Sequence, residues 1–162
     1  MNGPEKFIQL VKHPVKFRMF LLLKLPSAFF CGVRVKSISK EQAAVTVPYK
    51  WLSQNPFKST YFACLTMAAE MSTGLLSMMC TYKSRPAISM LVVSLQATYH
   101  KKATGITTFT CNDGVAIANA IAEAIQTGEG KTFRAKSVGE NKAGEIIAEF
   151  FIEWSFKAKS NS

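Results

Sequence analysis

The fold turns on residues Ser59–Tyr82, "STYFACLTMAAEMSTGLLSMMCTY", a run of twenty-four residues with a single charged side chain, Glu70. The run has the length of a membrane span. Glu70 and the many Ser and Thr residues argue instead for a helix enclosed by protein. An ionised carboxylate in apolar surroundings is costly unless it is paired, protonated or offered to a ligand. Helical spacing places Thr66, Glu70, Thr73, Ser77 and Thr81 on one narrow polar stripe. Gly74, next to that stripe, is a place where a ligand or another backbone can come close. Two readings stand side by side. Either Glu70 is held by these hydroxyls or by a neighbouring chain, or it is a functional carboxylate.

The flanks on both sides read as strands. Before the helix, "FFCGVRVKSISKEQAAVTVPYKWL" (Phe29–Leu52) alternates with a period of two and gives two strands around "SKEQ". "SQNPFKS" (Ser53–Ser59) is a loop, and Ser59 or Thr60 is suited to cap the helix. After it, "AISMLVVSLQATYHKKA" and "TGITTFTCN" read as a strand pair. Asp113 then opens a short helix with Ile117, Ile121 and Ile125 on one face and Gly128 as its stop. "KTFRAKSVG" and "GEIIAEFFIEWSFK" close the chain as a hairpin around "ENKAG". In the last strand, Ile146, Ala148, Phe150, Ile152, Trp154 and Phe156 face one way, and Glu145, Glu149 and Glu153 the other. Residues from Pro4 to about Leu25 read as a helical arm broken at Pro14. Its second piece is basic and apolar, suited to packing on the domain or to a membrane surface.

These elements describe a single α+β domain over 1–162, with an N-terminal helical arm (1–27) and a core (29–158). The expected core is a curved antiparallel sheet of about six strands wrapped around the apolar helix. A chain of 162 residues is large enough for one real core. The formal net charge of +10 is uneven: residues 1–60 carry ten Lys and Arg against Glu5 and Glu41, net +8. That balance favours an anionic partner, whether nucleic acid, a membrane surface or a phosphate-bearing cofactor, without choosing among them. The chain has neither basic clusters beyond pairs such as Lys101-Lys102 nor an RNA-binding aromatic signature, so nucleic acid is not expected. Cys31, Cys64, Cys80 and Cys111 are far apart in sequence, with no metal-ligand spacing and no disulfide framework. A reducing cytoplasm is the expected location.

The helix start carries a second chemical feature. Backbone N–H groups near Tyr61–Ala63 lack partners within the helix, and the helix dipole makes that end mildly positive. An oxyanion is stabilised at such a place. Asn55, in the loop before it, adds an amide side chain. A carboxylate, an amide and an oxyanion hole beside an apolar slot suit the hydrolysis of an acyl compound.

The order of elements, with "NPFKSTYFACLTMAAE" leading to an acid inside the helix, resembles the hot-dog fold. It is most similar to acyl-CoA thioesterases of the phenylacetate-pathway type and to a bacterial branch of uncharacterised hot-dog proteins. In that thioesterase family an Asn begins the loop, and an Asp or Glu follows fifteen positions later, as Glu70 follows Asn55 here. The resemblance runs over about Phe29–Lys157, with the arm outside it. It implies Glu70 as general base or nucleophile, Asn55 as the group that orients water or carbonyl, and the Phe62 N–H as the oxyanion hole. Tyr61, Thr66, Thr73 and Gly74 would then contact substrate. The family commonly has His-Gly-Gly where this chain has Tyr61, Phe62 and Ala63. The resemblance further implies a homodimer, or a tetramer built from it, with the site between two chains. No cofactor is expected beyond the coenzyme A of the substrate, whose phosphates would meet Lys83, Arg85, Lys101 or Lys102. The alternative is a non-catalytic hot-dog module that binds acyl-CoA or lipid.

Overall fold

The computed structural model describes residues 2–159. The chain runs α1 (Gly3–Lys12), α2 (Pro14–Lys24), α3 (Pro26–Cys31), β1 (Arg34–Ile38), β2 (Ala43–Val47), α4 (Phe62–Thr81), β3 (Ile88–Tyr99), β4 (Thr107–Cys111), α5 (Gly114–Thr127), β5 (Lys131–Glu140) and β6 (Ile146–Ala158). The six strands form one sheet in the order β1-β2-β4-β5-β6-β3, and every neighbouring pair is antiparallel. α4 packs against β1, β2, β4, β5 and β6, so the sheet curls around it. This is the hot-dog arrangement expected from the sequence.

The wrap explains the greasy helix. Leu65, Ala68, Ala69, Leu75, Leu76 and Met79 are buried against the inward faces of the strands. From β6 those faces contribute Phe150, Ile152, Trp154 and Phe156. Each such large side chain stabilises the fold by roughly 1.5–3 kcal/mol through burial. Phe150 also meets Phe109 of β4 edge to face, with ring centres 5.5 Å apart. α4 is long and apolar enough to cross a membrane by length and composition, yet most of it is buried within this protein.

Several local expectations change in the structure. Phe29, Phe30 and Cys31 belong to α3 rather than to the first strand; Pro26 starts this helix and β1 begins only at Arg34. Ile146 is exposed and Ile147 buried, because a bulge shifts the register of β5 against β6 just before Ala148. Asp113 stands at the start of α5, but its carboxylate accepts the Lys136 N–H at 2.7 Å instead of capping the helix. The buried face of α5 is Ile117, Ile121 and Ala124, with Ile125 partly exposed. Gly128 ends α5 at φ +72°, a left-handed conformation that glycine adopts without strain.

The N-terminal arm is built into the same core. Phe7 and Val11 of α1, Phe17 and Leu21 of α2 and Ala28 of α3 are buried in one cluster with the side chains of α4. α1 and α3 both pack on α4, and Phe7 meets Tyr82 with ring centres 5.4 Å apart.

The far edge of the sheet is different. β3 pairs with β6 and not with β4 as the sequence order suggested, and among the described residues its other edge has no strand beside it. Leu95 pairs with Ile152 and Tyr99 with Ala148, so both lie on the helix-facing side of the sheet. They are 43% and 45% exposed, whereas α4 touches β3 near its start, where Thr81 meets Met90. Leu91 and Val93 on the same strand are exposed as well.

Candidate functional site

Glu70 projects from the middle of α4 towards the elbow between α2 and α3. It lines a cavity of about 240 Å³ together with Met67 and Met71 of α4 and Lys24, Leu25 and Pro26 of the arm. Its carboxylate accepts no hydrogen bond and forms no ion pair among the described residues, although Lys24 lines the same cavity. Burial pushes the Glu70 carboxyl above the usual carboxylate range, and no neighbouring charge pulls it back.

The hydroxyls of the polar stripe do not hold Glu70. Thr66 Oγ1 donates to the Phe62 carbonyl at 2.9 Å, Thr73 Oγ1 to the Glu70 carbonyl at 2.9 Å, and Ser77 Oγ to the Thr73 carbonyl at 3.2 Å. Each hydroxyl is spent on its own helix three or four residues back. Spacing alone shows that these groups share a face; it does not show which acceptor they choose.

Behind the carboxylate, Gly74 and Trp154 form a wall. A Cβ on Gly74 would stand 3.2 Å from Glu70 Oε1 and 3.3 Å from the Trp154 ring, so a side chain there would crowd both by a few tenths of an ångström. The Trp154 indole N–H donates to Thr73 Oγ1 at 2.9 Å. Trp154 therefore braces the turn of α4 that carries Glu70. Its inward position was legible in the alternation of β6, but its contact with Thr73 and Gly74 depends on which turn of α4 crosses that strand. Lys24 and the α2–α3 elbow gave no signal in the sequence as neighbours of Glu70.

The second set of predicted residues lies at the other end of the same helix. Asn55, Tyr61 and Phe62 line a surface pocket of about 490 Å³ with Leu65, Tyr99, His100 and Lys102. The residue at the N-cap of α4 is Tyr61, not Ser59 or Thr60, and no side chain caps the helix. Thr60 instead bonds the Ala103 carbonyl at 3.1 Å, and Ser59 bonds Asn55. The N–H groups of Phe62 and Ala63 meet no acceptor among the described residues, which leaves two donors at the positive end of the helix dipole. The rings of Tyr61 and Phe62 pack edge to face at 4.9 Å, and both are about half exposed.

Asn55 is largely engaged within its loop. Its Oδ1 accepts the N–H of Phe57 at 3.0 Å, and the N–H and Oγ of Ser59, both at 3.2 Å. Its Nδ2 makes only a long contact, 3.5 Å, to the Thr60 carbonyl, so the amide N–H is the part of Asn55 available to a ligand. Of the basic residues near this end, Lys101 pairs with Glu145, and Lys102 Nζ donates to the Phe57 carbonyl at 3.3 Å.

The structure does not bring Glu70 and Asn55 into one cavity within one chain. Phe62 and Glu70 are eight positions apart on a continuous helix, a rise of about 12 Å. No carbonyl reaches both at once from a single copy. Cys31 and Cys64, far apart in sequence, also meet at the start of α4 as free thiols with sulfurs 3.4 Å apart. Burial and the Cys31 neighbour push the Cys64 thiol up to about 12, so Cys64 remains un-ionised.

Comparison with solved structures reproduces the whole architecture. The Chlorobaculum tepidum protein OLEI01261, of unknown function, is 17% identical with a TM-score of 0.75 over 96% of this chain and 94% of its own. PA5026 from Pseudomonas aeruginosa, named a probable thioesterase, is 17% identical with a TM-score of 0.71 over 96% and 95%. Thioesterase HI1161 from Haemophilus influenzae is 9% identical with a TM-score of 0.62 over 89% and 92%. At such identities the likeness is one of fold. The first two matches cover nearly the whole chain, so the likeness reaches into the N-terminal arm and beyond the expected Phe29–Lys157. No curated protein sequence matches the chain. One family model does, over residues 15–155, and by that match this hot-dog protein belongs to the family described as a domain of unknown function, DUF4442.

Proposed function

We propose that the protein is a thioesterase that hydrolyses acyl-CoA, with Glu70 as its general base or nucleophile. The observation that carries this reading is the Glu70 carboxylate: it faces a cavity, lacks any partner among the described residues, and has its proton affinity raised by burial. A base of this kind takes a proton readily once ionised. As a base, Glu70 removes a proton from water while the water oxygen bonds to the thioester carbonyl carbon. The carbonyl oxygen gains charge and is held by the Phe62 N–H. The C–S bond then breaks, and the proton held by Glu70 passes to the departing coenzyme A sulfur. Thioesterase-named structural neighbours agree with this reaction class.

The reading requires a homodimer. The open edge of β3, with Leu91, Val93, Leu95 and Tyr99 exposed along it, supports pairing of two copies edge to edge. In such a pair, Glu70 of one copy meets the helix start of the other, which resolves the 12 Å separation within one chain. Lys83, Arg85 and Lys102 are then the candidates for the coenzyme A phosphates, and Tyr61, Thr66, Thr73 and Gly74 for acyl contacts. A cytoplasmic location goes with this reading.

A second reading has one observation in its favour. Phe62 and Ala63 replace the glycines that let a thioester approach the backbone closely in similar enzymes, which suits a module that binds acyl-CoA or lipid without turning it over. The test is release of free thiol from a panel of acyl-CoAs by wild type and Glu70→Gln. Hydrolysis by wild type, lost in Glu70→Gln, supports the enzyme. Hydrolysis that persists in Glu70→Gln removes Glu70 from the reaction. Binding of acyl-CoA without thiol release replaces the enzyme with the binding module.

A further inference from the structure

α2 has apolar residues on two opposite sides. Phe17 and Leu21 are buried against the core. Val15, Met19 and Leu23, spaced by four, lie on the opposite side and are 63%, 48% and 71% exposed. The stripe continues past the end of the helix into Leu25 and then Phe30 of α3, both about half exposed. A helix that only packed on the domain would carry polar residues on its outer face. A run of exposed apolar side chains along one element marks a contact surface.

The charge around the stripe identifies the partner. From Lys6 to Lys40 the sequence contains eight Lys and Arg and no Asp or Glu. Lys12, Lys16, Arg18, Lys24, Arg34 and Lys36 form no ion pair among the described residues. Burial and then the nearby Arg34 lower the proton affinity of Arg18, whose partners among the described residues are the Val33 carbonyl at 3.2 Å and the face of the Phe29 ring. Between α2 and β1, Lys12, Arg18, Arg34 and Lys36 border a groove of about 480 Å³ with Phe17 and Val35 in its lining. Unpaired cations beside an outward apolar stripe match a surface that is anionic at its face and apolar beneath it.

We propose that the outer face of α2 and the α2–α3 elbow dock on an anionic lipid bilayer. Val15, Met19, Leu23 and Leu25 enter the boundary between headgroups and acyl chains, and the flanking Lys and Arg side chains meet lipid phosphates and carboxylates. The contact is peripheral, since Phe7, Val11, Phe17 and Leu21 stay in the protein core. It is independent of any reaction at Glu70. It has one consequence for that site, because Lys24, Leu25 and Pro26 line both the docking elbow and the Glu70 cavity. The cavity therefore opens beside the bilayer, where an amphiphilic acyl ligand is concentrated.

Sedimentation of the full chain with vesicles of phosphatidylcholine alone, and of phosphatidylcholine with phosphatidylserine, tests this. The expected result is binding to the anionic vesicles only, weakened by salt because counter-charges are screened. The combined variant Val15→Glu, Met19→Glu, Leu23→Glu should lose roughly tenfold or more of that binding. These positions are exposed, so its melting temperature should stay near that of wild type. Lys16→Glu with Lys24→Glu, which leaves the apolar stripe in place, should weaken binding to anionic vesicles as well. No sedimentation of wild type, or equal sedimentation of wild type and the triple variant, overturns the proposal. So does light scattering in which wild type is a larger oligomer that the triple variant splits, since a second copy then covers the stripe.

Discussion

The two ends of the candidate site share one helix and differ in almost every physical respect. Glu70, at mid-helix, is half-buried at the edge of a largely apolar cavity and has no partner among the described residues. The start of α4 is open, carries two free N–H donors, and is ringed by exposed aromatics and lysines. One end supplies a group that wants a proton; the other supplies donors that want an oxygen. A rigid helix keeps them about 12 Å apart. The lesson is that groups carried on one α-helix share a stretch of sequence without sharing a cavity.

The largest change is expected at Glu70. If the carboxylate is the base, Glu70→Gln should lower turnover by roughly a hundredfold or more and leave acyl-CoA binding in place. Steady-state kinetics and calorimetric titration of the same variant separate the two quantities. The open end should be more tolerant. Asn55→Ala should reduce turnover less than Glu70→Gln does. It should also lower stability by about 1 kcal/mol, since the N–H groups of Phe57 and Ser59 lose their acceptor. Chemical denaturation reads that change.

The pH dependence of stability sharpens the contrast. The folded state holds the Glu70 proton more tightly than the unfolded chain, because burial raises its proton affinity. The protonated form therefore carries no charge penalty, and the penalty grows as pH rises through the folded value. Glu70→Gln should melt at a higher temperature than wild type at neutral pH, with the gain shrinking as pH falls towards the ordinary carboxylate range. Melting curves at several pH values check the sign. A gain that stays constant with pH would mean that the glutamine acts by packing instead.

The smallest expected effect concerns Gly74. An alanine there gains helix propensity but presses on Glu70 Oε1 and Trp154, and the two effects should offset to within about 1 kcal/mol of stability. Turnover should fall a few-fold, because the carboxylate is the neighbour free to move. Loss of stability without loss of turnover would make Gly74 a packing residue only.

Periodicity made much of this molecule legible. The alternation of β6 and the apolar surroundings of Glu70 led to a sheet wrapped on a helix, because side-chain burial has the period of the element that carries it. The bulge before Ala148 and the helix at Phe29–Cys31 escaped that reading, since one inserted residue or one short turn leaves no lasting period. For the site, Glu70 was visible as a lone charge, and the loop from Asn55 as turn chemistry. Three features were not visible: the Trp154 brace, the lining contributed by Lys24 and Leu25, and the separation of Glu70 from Asn55 into two cavities. Each depends on where distant elements cross, which local pattern does not encode.

The proposed reaction needs the two ends of α4 to act together across two copies of the chain. Mixing two impaired variants reads this. Glu70→Gln and Asn55→Ala are purified separately, combined under conditions that allow subunits to exchange, and assayed for thiol release from an acyl-CoA that wild type hydrolyses. If each site takes Glu70 from one copy and Asn55 from the other, mixed dimers contain one intact site. Random exchange should then restore about a quarter of the wild-type turnover over the residual rates of the variants. A mixture no more active than the two variants assayed alone, with exchange verified by mass, would contradict the account.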